Sequence, residues 1–285
     1  MLALQAYQKA LEVRNSLNKG RKIPVCIYDL ARELEVEVRF VNDLTSLEGM
    51  YSKDSNLILL SSLRPYGRRA FTCAHELGHH IFGHGDRIDK VSDIPYIANE
   101  KDPEEYLADL FAGFLLMPKP AIIQAFEVRG LRFDTCQANE LYAIAGYFGV
   151  GYSTLIHHMR RTLDLFSWSH ADKLLKFAPQ KIRTQILGRT VKEDLFIVDL
   201  NWTDRAIDIQ VGDFILSLAQ TINDKDCIQP VEQSQKGKLF RGVKPGVERV
   251  YDPRSGWAAY VRVSRRDYAG RSIFRNDEDP DYGTD

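Results

Sequence analysis

Apolar residues recur at helical spacing through MLALQAYQKALEVRNSLNKG and again through IPVCIYDLARELEV, where Ile27, Leu30, Ala31 and Leu34 share one face. The period then shortens to two in VEVRFV, which reads as a strand. GMYSKD and NLILLSS are two further short runs across Asp54, Ser55 and Asn56, whose short polar side chains favour a tight turn. A small antiparallel sheet is therefore expected ahead of the next helical stretch, which carries FTCAHELGHHIFGHG at 71–85. After a loop around Asp93, Ile94 and Pro95, EEYLADLFAGFLLM predicts a helix with Asp102 as N-cap and Pro103 as its first residue, closed at Met117, Pro118, Lys119 and Pro120. From 121 to about 178 the pattern stays helical. From about 194 it changes to strands, in DLFIVDLNW, AIDIQVGDFILSLAQ, ERVYD and WAAYVRV, separated by Gly, Pro and Asp. The expected organisation is α+β, in units at 1–120, 121–185 and 186–272, the last β-rich, followed by an acidic, disordered tail at 273–285.

Composition changes this picture little. The 285 residues carry a formal net charge of -1, so bulk charge advertises neither a nucleic-acid nor a membrane surface. Apolar runs such as LFAGFLLM at 110–117 fall short of the roughly 20 residues a membrane span needs. The opening segment lacks the basic start and apolar block of a secretory signal, so a cytoplasmic location and no membrane partner are expected. Cys26, Cys73, Cys136 and Cys227 stand far apart, which suits reduced core thiols better than a disulfide framework.

The histidines carry the chemistry: four of seven fall within 71–85. His75 and His79, at i and i+4, stand one helical turn apart and can direct ring nitrogens at one cation. Glu76 is turned about 100° round the axis from His75, beside the cation, where a carboxylate can take a proton from attacking water. A catalytic zinc needs a third protein ligand. His84 fails as that ligand in the extended histidine motif, because the required glycine and histidine positions, 82 and 85, hold Phe82 and Gly85. Glu105 is the better candidate, with Glu104 as fallback, although Glu105 also occupies the position that completes a capping box after Asp102. Asp109, one turn on, suits a carboxylate that accepts the Nδ1 proton of a ligating histidine. Tyr96, Tyr106, His80 and His84 lie nearby in sequence without an arguable role, and Cys73 reads as a core thiol rather than a redox switch. NLILLSS offers either an open edge for an extended substrate or an internal strand.

RRAFTCAHELGHHIFGH, followed by EEYLADLFAGFLLMP and preceded by LEGMYSKDSNLILLSS, resembles the ImmA/IrrE family of bacterial metallopeptidases over roughly 23–165. The resemblance implies a zincin-like zinc-peptidase domain, with His75, His79 and Glu105 as ligands and Glu76 as base. It also implies a helix-turn-helix transcriptional repressor as substrate, cleaved to release stress, phage-defence or mobile-element genes.

ELYAIAGYFGVGYSTLIHHMRRTL has helix-turn-helix spacing at Ala145, Gly149, Val150, Leu155, Ile156 and Met159. Its second helix would present His157, His158, Arg160 and Arg161 to nucleic acid, in a stretch, 157–192, with eight Lys or Arg against two Asp. The same apolar pattern serves a helical scaffold with at most weak nucleic-acid contact. The β-rich unit shows no catalytic spacing, and RVSRRDYAGRSIFR suits an anion or a solvated face. By architecture alone that unit is expected to sense a signal or help select the repressor. The competing reading is a non-proteolytic regulator that binds DNA or a partner.

Overall fold

The computed structural model describes residues 1–42, 47–90, 102–234 and 237–277. Its helices are α1 (Leu2–Ser16), α2 (Ile27–Glu33), α3 (Tyr66–Phe82), α4 (Pro103–Leu116), α5 (Lys119–Glu127), α6 (Ala138–Phe148), α7 (Tyr152–His157), α8 (Trp168–Leu175) and α9 (Pro179–Leu187). The first sheet contains β1 (Glu37–Val41), β2 (Leu47–Ser52), β3 (Leu57–Ser61) and β4 (Arg87–Lys90). The chain is α+β.

That first sheet is mixed, which corrects the expectation of an antiparallel one. β2 and β3 form the expected antiparallel hairpin, turning through Asn56 at φ 48°. The returning strand β3 then lies beside β1 in parallel, with Arg39 opposite Leu59. Alternation marks which face of a strand is buried, not which neighbour it pairs with. β3 is thus interior, flanked by β1 and β2, with Ile58 and Leu60 fully buried. It offers no open edge, and β4 occupies the edge beyond β2.

At the other edge, β13 (Gly270–Arg271) pairs antiparallel with β1, Arg39 opposite Arg271. This strand comes from the far end of the chain, beyond the two four-stranded sheets of the β-rich unit. The first of those contains β5 (Leu195–Val198), β7 (Phe214–Ser217), β9 (Ile228–Ser234) and β10 (Gly237–Gly242), in the order β5-β7-β10-β9. The second contains β6 (Ile207–Gln210), β8 (Ile222–Asn223), β11 (Gly246–Tyr251) and β12 (Ala258–Ser264), in the order β6-β12-β11-β8. The run AIDIQVGDFILSLAQ therefore splits between sheets, turning where Gly212 takes φ 96°. β9 and β10 escape the sequence pattern because Pro230 interrupts one of them. Proline is tolerated there because β9 is an edge strand and the register slips beside it, between Leu239 and Phe240.

One apolar core runs from Ala6 in α1 to Val263 in β12 and Tyr268 beyond it, through all three expected units. Charged ties reinforce it. Arg14 of α1 is buried and donates to the carbonyls of Leu115, Gly20 and Ile23, which binds α1 to the end of α4. Buried Asp208 receives two bonds from Arg262, at 2.6 and 2.8 Å, while Arg262 and Arg275 both reach Asp29 of α2. These arginines hold the Asp208 carboxyl down at about 2 against the opposing effect of burial. Much of RVSRRDYAGRSIFR is thus spent on internal pairs: Arg266 on Asp213 and Arg271 on Glu37 complete the set. The expected disordered tail begins too early, since Ser272–Phe274 forms a 3-10 turn and Arg275 is buried. Its residues 278–285 lie outside the described residues.

Among the described residues one segment, Pro103–Glu127, has the length and mean hydropathy, 1.4, to cross a membrane. Sixty-seven per cent of that window is buried in the fold, and α4 ends before Pro118. The four cysteines are free thiols, three of them buried.

Candidate metal centre

α3 is the centre of the site. It packs one side on the sheet and the other on α4, where Gly78 lets the backbones close, since a Cβ there would sit 3.1 Å from the Cα of Ala108. This approach sets His75 and His79 opposite the first turn of α4. Asp102 caps α4 by accepting from the backbone N–H of Glu104 and Glu105, at 3.0 and 3.4 Å. The Glu105 side chain turns across to the histidines: its Oε2 lies 3.1 Å from His75 Nε2 and its Oε1 3.5 Å from His79 Nε2. The two Nε2 atoms are 3.0 Å apart. Hydrogen bonds from His75 and His79 hold the Glu105 carboxyl well below the ordinary carboxylate range.

One donor atom from each of His75, His79 and Glu105 falls within 4.8 Å of the others. Two imidazoles and a carboxylate converging on one point fit a divalent ion such as zinc. Further groups orient them. Asp109, buried on α4, lies 2.8 Å from His75 Nδ1, so the ring presents Nε2 to the cluster. His79 Nδ1 lies 2.8 Å from Nδ1 of His84.

The spacing left His84 without a role, yet its place beside His79 has a local cause. α3 ends at Gly83, whose φ of 72° is left-handed. The N–H of His84 then bonds back to the His79 carbonyl at 3.0 Å, and that of Gly83 to His80 at 3.1 Å. This paired closure folds the residue after the glycine back over the helix's fourth-last residue, His79. Here that position is a candidate ligand. Gly83 was the signal available.

Glu76 is fully buried on α3. It faces β2 at Gly49, where a Cβ would stand 2.5 Å from Glu76 Oε1 and 2.5 Å from Thr72 Cγ2. A glycine in the strand is therefore what admits the carboxylate. Tyr106 is exposed on α4, His80 shares a 3.0 Å contact with the Tyr51 hydroxyl, and Tyr96 lies outside the described residues, as do Asp93, Ile94 and Pro95. Cys73 is fully buried, and burial pushes its thiol well above the usual range, which suits a core thiol.

The residues expected to meet nucleic acid are dispersed. α6 and α7 do flank a glycine corner, with Gly149 at φ 69°, but α7 runs only six residues before widening into a π turn, His158–Thr162. His158 is fully buried, 3.0 Å from the Met117 carbonyl. Arg160 is buried, bonded to Asp172 at 2.7 Å and stacked over Trp168. These two are scaffold residues and correct the expectation of a contact surface. His157 is half-buried, with burial and then Arg161 and Arg160 lowering it to about 4, and Arg161 is exposed.

The family model described as Peptidase M78, IrrE N-terminal-like domain, matches residues 19–160. The radiation response metalloprotease IrrE of Deinococcus radiodurans is 32% identical over 81 residues, a stretch covering 28% of this chain and 25% of that protein. A Mycobacterium tuberculosis transcriptional regulator of known structure shares 19% identity over 55% of this chain and 46% of its own, at a TM-score of 0.35. By the family match, which spans α3 and α4, and by the IrrE relative, the chain belongs to the ImmA/IrrE family, whose IrrE-like domain is a metallopeptidase domain.

Proposed function

We propose that the chain is a zinc-dependent site-specific endopeptidase whose substrate is a helix-turn-helix transcriptional repressor, cleaved to derepress stress, phage-defence or mobile-element genes. The observation that carries the enzymatic part is the convergence of His75, His79 and Glu105 from two helices beside a buried Glu76. The repressor as substrate rests on the family resemblance. The sheet, the histidine helix and the second ligand-bearing helix suit a zincin-like arrangement.

His75, His79 and Glu105 would hold the ion. When bound, zinc supplies a Lewis acid that polarises the scissile carbonyl and makes water acidic near neutrality. The remaining work falls to the chain. Asp109 fixes the His75 tautomer through Nδ1, and His84 does the same for His79 by accepting from its Nδ1. Glu76 takes a proton from the attacking water on one oxygen and delivers it to the amine as the peptide C–N bond breaks. Its burial between α3 and β2 keeps that carboxylate in one place. β4 lies at the sheet edge beyond β2, where an extended substrate segment can add as a further strand.

Glu76→Gln preserves shape and removes the base. Incubating the parent and the variant with the product of a neighbouring helix-turn-helix gene, with and without chelator, should give discrete fragments for the untreated parent alone, while both bind one zinc. A variant that cleaves, or that relieves repression as well as the parent, rules out this mechanism and favours the non-proteolytic regulator.

A further inference from the structure

A second concave site lies away from the metal cluster, at the other end of α3. It is a cavity of about 440 Å³, within the size range of small-molecule pockets. Its walls are the first turn of α3, the α6–α7 corner, the start of α9 and the approach to β5. Gly146 opens one wall, since a Cβ there would meet only Phe196 Cδ1, at 3.8 Å. Tyr142, Tyr152 and Phe196 give it flat apolar surfaces. The hydroxyl of Tyr152 is committed elsewhere, to the Leu174 carbonyl at 3.0 Å, so its ring contributes surface rather than polarity.

The charges in this cavity are unequal. Arg68 pairs with Glu48 at 2.8 Å, a carboxylate that Arg64 shares at 3.1 Å. That leaves Arg183 and Lys192 against Asp194. Asp194 is itself stretched between two partners, 3.4 Å from the Tyr66 N–H and 3.5 Å from Arg183 Nη1. The Arg183 side chain is mostly withdrawn from water, and its Nε is buried with no hydrogen-bond partner among the described residues. A mostly buried guanidinium and a lysine beside one carboxylate give the cavity an excess of positive charge, which matches an anionic ligand such as a carboxylate.

We propose that this cavity binds a small aromatic carboxylate, its ring against Tyr142, Tyr152 and Phe196 and its anion on Arg183 and Lys192. The floor is the first turn of α3, about two turns before His75, so the occupant rests on the helix that carries the candidate metal ligands. The proposal does not depend on peptidase activity.

Calorimetric titration of the full chain with 2-naphthoate should give saturable binding of one molecule, about tenfold or more tighter than neutral 2-naphthamide. Arg183→Gln should erase that preference. Gly146→Leu, on a helix face with room for a side chain, should block both ligands without lowering the melting temperature. Lack of saturable 2-naphthoate binding overturns the proposal, as do equal affinities for acid and amide. Parent-like binding by Gly146→Leu, or displacement of the ligand by an equal concentration of inorganic phosphate, overturns it too.

Discussion

Replacing Gly49 by alanine tests whether strand β2 positions the Glu76 carboxylate proposed as the base. The residue is buried with ordinary backbone angles, so alanine brings no conformational strain and the effect is steric. Its Cβ would lie 2.5 Å from both Glu76 Oε1 and Thr72 Cγ2, whereas ordinary contact begins at 3.4 Å. Both must retreat by about 0.9 Å. Glu76 is fully buried and has no open solvent to swing into, so the movement displaces the proposed base from the position described. A misplacement of about 1 Å costs about a hundredfold in rate, or roughly 2.7 kcal/mol in barrier. Overpacking should lower stability by about 1–3 kcal/mol. Thr72→Ser removes one of the two colliding groups. In the Gly49→Ala background it should recover much of the stability but little of the rate. Single-turnover repressor cleavage, denaturant unfolding and zinc titration separate these effects, and zinc affinity should stay within about twofold. Parent-like cleavage by Gly49→Ala, or rate recovered in proportion to stability by the double variant, refutes the positioning role.

Three further outcomes follow from the same geometry. His84→Ala removes the group 2.8 Å from His79 Nδ1 and should weaken zinc binding by about tenfold to a hundredfold in chelator competition, whereas an unchanged affinity would make His84 merely structural. Gly67→Ala should destabilise the chain by about 1–3 kcal/mol despite alanine's helix preference, because its Cβ would stand 2.5 Å from the Val150 carbonyl carbon, a backbone atom; a raised melting temperature would contradict this. Burial and then the Asp194 charge push the Asp213 carboxyl up to about 6. A raised folded value means a stabilising proton that is held below the unfolded value near 3.8 and lost as pH rises through about 6. Relative to the parent, Asp213→Asn should therefore lose up to about 3 kcal/mol on going from pH 7 to pH 4; a difference that does not grow in that window removes the assignment.

Much of the metal cluster was legible because its spacing is local. His75 and His79 lie one turn apart on a single helix, and Glu105 and Asp109 repeat that spacing on another, so helix geometry alone carries each pair to one face. Asp102 also declared the start of α4, although the cap pattern left Glu105 two possible roles; the side chain serves the histidines. Contacts between distant elements were not legible. Nothing near Gly49 in the chain announces Glu76, and nothing near Arg39 announces Arg271, because strand order depends on the whole fold. His158 and Arg160 carry the types of residue that bind nucleic acid, but composition does not reveal which side of a helix is covered. There the cover is α8, whose Asp172 and Trp168 take up Arg160, and the Met117 carbonyl, which takes up His158.

The short strand Gly270–Arg271 has a mechanical meaning. A unit that lends a strand to another unit's sheet is stitched to it, not tethered, and cannot swing as a free passenger. Any rocking of the β-rich end against the histidine helix must first unzip the Arg39–Arg271 pairing and part Arg262 from Asp29. A fragment trimmed to the matched stretch, 19–160, would have that seam torn open, leaving a raw strand edge beside Phe40 and a groove along α4 where α1 had lain.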